Sequence, residues 1–166
     1  WLDRSGRRLE TLSQPFAAWP NLAIRLSPDD SKAIVPEWGS ESSDLWITDF
    51  ARKTHSRFTF HGANSGIWSP DGSRILWAAY DGKRYLRSAD GSGTDELLYK
   101  NPKRATGFPT DWSRDGKFIT FSDMTNKYRE IWLLSVGSRQ FQLYSQVDHT
   151  TAWAQFSPNG RWMAYV

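Results

Sequence analysis

Residues able to do chemistry are sparse in this 166-residue chain, which has three histidines, no cysteine, and 18 carboxylates scattered among 21 basic residues. Without a thiol there is no disulfide framework, no thiolate nucleophile and no Cys-ligated metal. Gly62-Ala63-Asn64-Ser65-Gly66 has the glycines of a nucleophile elbow, but its serine stands one place too late for G-x-S-x-G. No phosphate-cradling Walker loop, dinucleotide glycine fingerprint or kinase catalytic motif occurs. His61 and His149 stand in equivalent connections of different repeats, and His55 stands near a hairpin turn. A metal or anion held between His61 and His149 is conceivable, but two solvated loop histidines are the simpler reading. No cofactor is implied. Lys100, Lys103 and Arg104 flank Asn101-Pro102, and Lys127 and Arg129 follow in a later connection. They suit an acidic partner or a solvated loop. They are not interleaved with aromatics as a single-stranded nucleic-acid groove requires, and a net charge of +3 is too small to imply nucleic acid.

The elements that position these residues follow from one recurring four-residue word. It appears as Ser27-Pro28-Asp29-Asp30, Ser69-Pro70-Asp71-Gly72, Ser113-Arg114-Asp115-Gly116 and Ser157-Pro158-Asn159-Gly160, at intervals of 42, 44 and 44 residues. Each copy follows a large apolar residue (Leu26, Trp68, Trp112, Phe156) and precedes an apolar run. The word is turn chemistry. Pro pre-sets φ at the second position, Asp or Asn suits the third, and Gly takes the left-handed fourth, a place that Asp30 tolerates. One carboxylate per turn is too few for a calcium site of six to eight oxygens.

A second landmark begins 15 to 17 residues after each of the first three serines: Asp44-Leu45-Trp46-Ile47, Arg84-Tyr85-Leu86 and Glu130-Ile131-Trp132-Leu133. A turn follows, then a last short strand at Ser56–Phe60, Glu96–Tyr99 or Gln140–Tyr144. Each unit therefore reads as four short strands, A to D, with the word joining A to B. Met124 to Leu134 could pass for a helix, but the repeat register makes it strand. Four-stranded units at this period match propeller blades. The fold class is thus all-β, a β-propeller of about four antiparallel blades. The blades fall near 22–60, 64–99, 108–144 and 152–166, the last completed by a hairpin at 1–12. Nearly all of the 10 tryptophans read as packing between blades, while Trp1, Trp153 and Trp162 would be aromatic faces of the half-blades at the two ends. Both ends of the chain read as cuts, so the expectation is a single propeller domain or a propeller fragment. Unpaired half-blades would otherwise associate, giving a homo-oligomer.

Trp68-Ser69-Pro70-Asp71-Gly72-Ser73-Arg74-Ile75, with Asp44-Leu45-Trp46 and Arg57-Phe58-Thr59-Phe60, resembles the WD-repeat-like blades of the TolB family across essentially the whole chain. Trp1-Leu2-Asp3-Arg4-Ser5-Gly6 and Phe108-Pro109-Thr110-Asp111-Trp112-Ser113 further resemble the propeller segment of bacterial receptor-type serine/threonine kinases. The resemblance implies a non-catalytic, sensory or protein-binding propeller with a protein or peptide partner, no membrane contact by this segment, and an extracytoplasmic location. The alternative is the accessory propeller of a prolyl-oligopeptidase-type hydrolase whose catalytic domain lies elsewhere. In a propeller the D-to-A and B-to-C connections share the face where ligands usually dock. The expected ligand-face residues are therefore His61, Asn64, Lys103, Arg104, Lys127, Tyr128, Asp148 and His149.

Overall fold

Short apolar runs bounded by the turn words, buried at consecutive positions because both sheet faces are covered, form strands. The structure, a computed structural model, describes residues 2–11, 24–39, 42–100, 107–124, 129–147 and 153–165. Blade I comprises β1 (Arg25–Leu26), β2 (Lys32–Trp38), β3 (Ser43–Asp49) and β4 (Thr54–Arg57), hydrogen-bonded in that order. Blade II comprises β5 (Ala63–Trp68), β6 (Arg74–Ala79), β7 (Lys83–Ser88) and β8 (Glu96–Lys100). Blade III comprises β9 (Phe108–Trp112), β10 (Phe118–Met124), β11 (Arg129–Ser135) and β12 (Gln140–Val147). A two-stranded sheet of β13 (Ala154–Phe156) and β14 (Met163–Tyr165) follows. All pairings are antiparallel, and no helix occurs among the described residues.

All four words close in the same way. The serine hydroxyl donates to the third-position side chain, Asp29, Asp71, Asp115 or Asn159, at 2.6 to 2.8 Å. It also accepts the amide N–H of the residue five places on, at 2.9 Å in each copy. Asp30 takes φ +57° where the other copies place Gly72, Gly116 and Gly160 at +68° to +74°. These hydrogen bonds hold the Asp29 carboxyl down at about 2, with the Ser27 hydroxyl the largest cause. Asp71 and Asp115 are likewise lowered, by Ser69 and Ser113.

Successive blades contact through their inner strands, β1 to β5, β5 to β9 and β9 to β13. The core follows this stacking. Ile34, Leu45, Phe58, Trp68, Ile75 and Trp77 fill the space between blades I and II. Ile67, Leu76, Leu86, Ile119, Phe121 and Leu134 fill that between II and III. Gly66 has no side chain because a Cβ there would sit 2.6 Å from Leu45 Cδ1 of the preceding blade.

Two expectations are corrected. The last strand of blade I is Thr54–Arg57, not 56–60. Phe58 and Thr59 both turn their N–H groups onto the Leu45 carbonyl, at 2.7 and 3.2 Å, and this ends the ladder. Tryptophan is not uniformly core: Trp38 and Trp153 are exposed and Trp162 is 71% exposed. Trp162 occupies the place after the word that Lys32, Arg74 and Phe118 hold elsewhere, which is never fully buried. The N-terminal segment does not add strands to β13–β14 within the described residues. It folds on itself through the Leu2–Arg8 bridge, with the Asp3 carboxylate accepting from Ser5 and Arg7. Glu10 is drawn 2.8 Å from Lys53, in the β3–β4 turn of blade I. Trp1, Leu12, Ala152 and Val166 of the two expected half-blades lie outside the described residues.

Candidate functional site

Strand A of each unit carries one residue two places before the word's serine: Arg25, Ile67, Asp111 and Gln155. In blades I to III these positions, on adjacent inner strands, line one cavity of about 700 Å³. Trp68, Thr110 and Trp112 complete its wall, and Pro28, Pro70 and Arg114 of the words form its rim. The cavity therefore lies along the propeller axis towards the A-to-B turns.

The site is held by hydrogen bonds that leave its groups oriented. Arg25 donates through Nη2 to the Thr110 carbonyl at 3.3 Å, bridging blade I to blade III. Its own carbonyl accepts the Trp68 indole N–H at 3.0 Å. Trp112 donates its indole N–H to the Gly116 carbonyl at 3.2 Å. Asp111 Oδ2 accepts the Phe156 amide at 2.7 Å and so fixes β13 against blade III. Burial pushes the Asp111 carboxyl above its ordinary value, opposed by the Phe156 and Trp112 amides and by the Arg25 charge. The Ser69 hydroxyl at the rim is committed to Asp71 and to the Arg74 amide, which leaves it no role as a nucleophile. The site offers the Arg25 guanidinium in its wall and that of Arg114 at its rim, one carboxyl raised by burial, and two indoles. That is a recognition surface with anchoring aromatic area and orienting polar groups.

The sequence-predicted residues lie elsewhere. His61 is exposed in the D-to-A connection after blade I, at the opposite opening. Asn64 is the extra residue of a bulge in β5, where the register steps from Ala63–Ala79 to Ser65–Ala78. His61 does not line the cavity. Lys103, Arg104, Lys127, Tyr128, Asp148 and His149 lie outside the described residues. Sequence reasoning passed over Arg25 and Asp111. The available signal was a charged residue inside the apolar strand that leads into the word.

A second constellation was also missed. His55 Nδ1 lies 2.8 Å from Thr48 Oγ1, and its Nε2 lies 2.6 Å from Glu37 Oε1. The imidazole stacks on Trp46 with centroids 4.9 Å apart. A hydroxyl, an imidazole and a carboxylate in line have the composition of a hydrolytic triad, but that chemistry needs an exposed hydroxyl beside an oxyanion hole. Thr48 is buried. A cavity of about 210 Å³ beside these strands is lined by their neighbours Ile47, Thr54 and Ser56 and not by Thr48 or His55. The cluster braces β2, β3 and β4. Among the described residues no group of three or more His, Asp or Glu is placed to hold a metal.

The chain matches no protein-family profile. It is 32% identical over 74 residues to the Tol-Pal system protein TolB of Anaeromyxobacter dehalogenans, covering 42% of this chain and 17% of that protein. Among solved structures, a putative TolB from Agrobacterium tumefaciens superposes with a TM-score of 0.70 at 17% identity, over 89% of this chain and 60% of that one. TolB from Acinetobacter baumannii gives 0.69 at 18% identity, over 86% and 36%. An oligogalacturonate lyase in complex with manganese gives 0.63 at 12% identity, over 80% and 41%. The fold is thus a TolB-like β-propeller, which an oligogalacturonate lyase also shares. The chain spans about a sixth of the curated relative's length.

Proposed function

We propose that this chain is a non-catalytic propeller module that binds a protein or peptide partner in its axial cavity. One observation carries the reading: Arg25, Trp68, Asp111 and Trp112, from three successive inner strands, converge on one cavity of about 700 Å³. A polypeptide segment suits that wall, since the indoles supply apolar area while Arg25 and Asp111 fix polarity and register. The TolB-like fold supports an extracytoplasmic receptor or scaffold as the parent. The stretches Trp1-Leu2-Asp3-Arg4-Ser5-Gly6 and Phe108-Pro109-Thr110-Asp111-Trp112-Ser113 resemble receptor-kinase propellers, which favours a sensory role.

The test is selection from a random peptide display library on the immobilised chain, followed by calorimetry on the enriched sequence. Arg25→Ala should weaken binding tenfold or more, about 1.4 kcal/mol or beyond. Asp111→Asn should change which peptides are selected. Failure to enrich any sequence, or an affinity indifferent to both substitutions, would refute the assignment.

A further inference from the structure

The four turn words differ at one place that turn formation does not explain. Pro28, Pro70 and Pro158 hold the second position in three copies, and the remaining copy has Arg114 there. Both residue types satisfy the turn. In all four copies the amide of the fourth residue closes onto the serine carbonyl at 2.8 to 2.9 Å. The difference therefore falls on the rim of the axial cavity, where Pro28 and Pro70 are uncharged and Arg114, exposed, adds a cation.

Arg114 is the second cation of that cavity. Arg25 stands half-buried in the wall, and among the described residues its side chain makes one hydrogen bond, the long one to the Thr110 carbonyl at 3.3 Å. Most of its N–H groups are therefore uncommitted. Neither arginine forms an ion pair among the described residues. The one carboxyl of the described lining, Asp111, accepts the Phe156 amide at 2.7 Å. Burial raises it, and Arg25 is the weakest of the groups that oppose the rise. Asp29, Asp71 and Asp115 belong to the same words but do not line the cavity. Each is turned onto its own serine and a following amide. Residues 12–23, which precede Ile24 of the lining, include no charged residue. The cavity thus sets two available guanidiniums against one committed carboxyl. Beside them stand apolar groups open to a ligand, Ile24 at 58% and Leu26 at 45% exposure.

We infer that the axial cavity selects a partner segment carrying an aspartate or glutamate side chain within an apolar run. The carboxylate meets Arg25 in the wall, where a guanidinium supplies paired N–H donors that fit it. The flanking apolar residues cover Ile24, Leu26 and Trp112. Arg114 draws the acidic segment in from the rim. The two arginines therefore act on different steps. A charge paired inside a site governs dissociation, whereas a rim charge governs association and its salt dependence. This inference rests on the cavity being the binding site and adds the chemistry of its occupant.

The test compares two display libraries of equal apolar content, one admitting Asp and Glu, the other Asn and Gln in their place. Both are fused to the display particle at their C-termini, so that only side chains can supply a carboxylate. The acidic library should yield peptides that move the Trp68 and Trp112 indole signals. Changing the selected acid to its amide should weaken binding about tenfold on the unaltered chain. On Arg25→Ala the same change should cost no more than about twofold. Arg114→Pro, which restores the residue of the other three words, should leave the melting temperature in place. It should slow association about threefold and flatten the salt dependence of that rate. Amide-library peptides that reach the same indoles with equal affinity would overturn the inference and leave the cavity a peptide site. So would an Arg25→Ala chain that still separates acid from amide tenfold. If neither library reaches the indoles, the cavity assignment falls and this inference falls with it.

Discussion

The junction between blades I and II and the junction between blades II and III solve one problem with opposite charges. In each, the second residue of the third strand, a buried charge, fastens the connection that leads into the next blade. At the first junction it is Asp44, whose carboxylate accepts from the Gly62 amide at 3.2 Å, the Thr59 hydroxyl at 2.8 Å and the Arg57 guanidinium. At the second it is Arg84, whose guanidinium donates to the Gly107 carbonyl beside the Asp123 charge. Burial pulls the Arg84 guanidinium below its ordinary value, and the Asp123, Asp81 and Tyr99 groups pull the other way. The connection can be gripped by its N–H or by its C=O, so the position requires a buried charge with hydrogen-bonding reach and leaves the sign free. The third copy, Glu130, accepts the indole N–H of Trp132 on its own strand at 2.8 Å.

The largest effect should separate the two staples. Arg84→Ala removes the cation from a buried site that keeps the Asp123 charge, and should cost about 3–5 kcal/mol. Asp44→Ala should cost about 2–3 kcal/mol, because its Arg57 partner is half-exposed and regains water. Denaturant unfolding measures both, and equal costs would erase the distinction. Gly62→Ala should follow at about 2 kcal/mol, from the left-handed backbone and the Tyr80 contact. Gly91→Ala, at a similar φ of +81° with nothing within 4 Å, isolates the backbone share and should cost less.

A smaller effect belongs to the first junction alone. The Arg87 guanidinium lies 4.3 Å over Phe58 and 5.4 Å over Trp77, and donates to the Phe58 carbonyl. Arg87→Ala should cost about 1–2 kcal/mol, and Arg87→Lys should recover only part of it. The smallest effect concerns the turn words in acid. Their aspartates are lowered in the folded state, so the stability they add is present above about pH 4 and is lost as pH falls towards about 2 for Asp29. Asn159 makes the same hydrogen bonds without titrating. Amide protection, relative to the intrinsic exchange rate at each pH, should therefore fall at Ser31, Ser73 and Lys117 in that window and stay level at Arg161. Parallel loss at all four would mean that the carboxylate charge is irrelevant.

The turn words were legible in sequence because their chemistry is local. Even Asp30 in a left-handed position follows from the fourth place of the word. Strand phases were legible for the same reason, including β10 and β11 across a segment with helical spacing. Long-range pairings were not. Asp44, Arg84 and Glu130 share a repeat position and read as one landmark, and nothing nearby shows that each finds a different partner. Arg25 and Asp111 looked like interruptions of an apolar strand, since their neighbour across the axis is more than eighty residues distant. The N-terminal hairpin bridges Leu2 to Arg8 and meets Lys53 of blade I through Glu10, another long-range pairing that no local pattern announces.

The most direct test of the binding assignment uses the indole N–H signals of Trp68 and Trp112, which report on the cavity wall through their hydrogen bonds to the Arg25 and Gly116 carbonyls. On titration with a peptide selected by display, both signals should move with the same saturation curve, and Arg25→Ala should shift that curve to higher concentration. Saturable binding that leaves both indoles unmoved would place the ligand elsewhere and contradict the account.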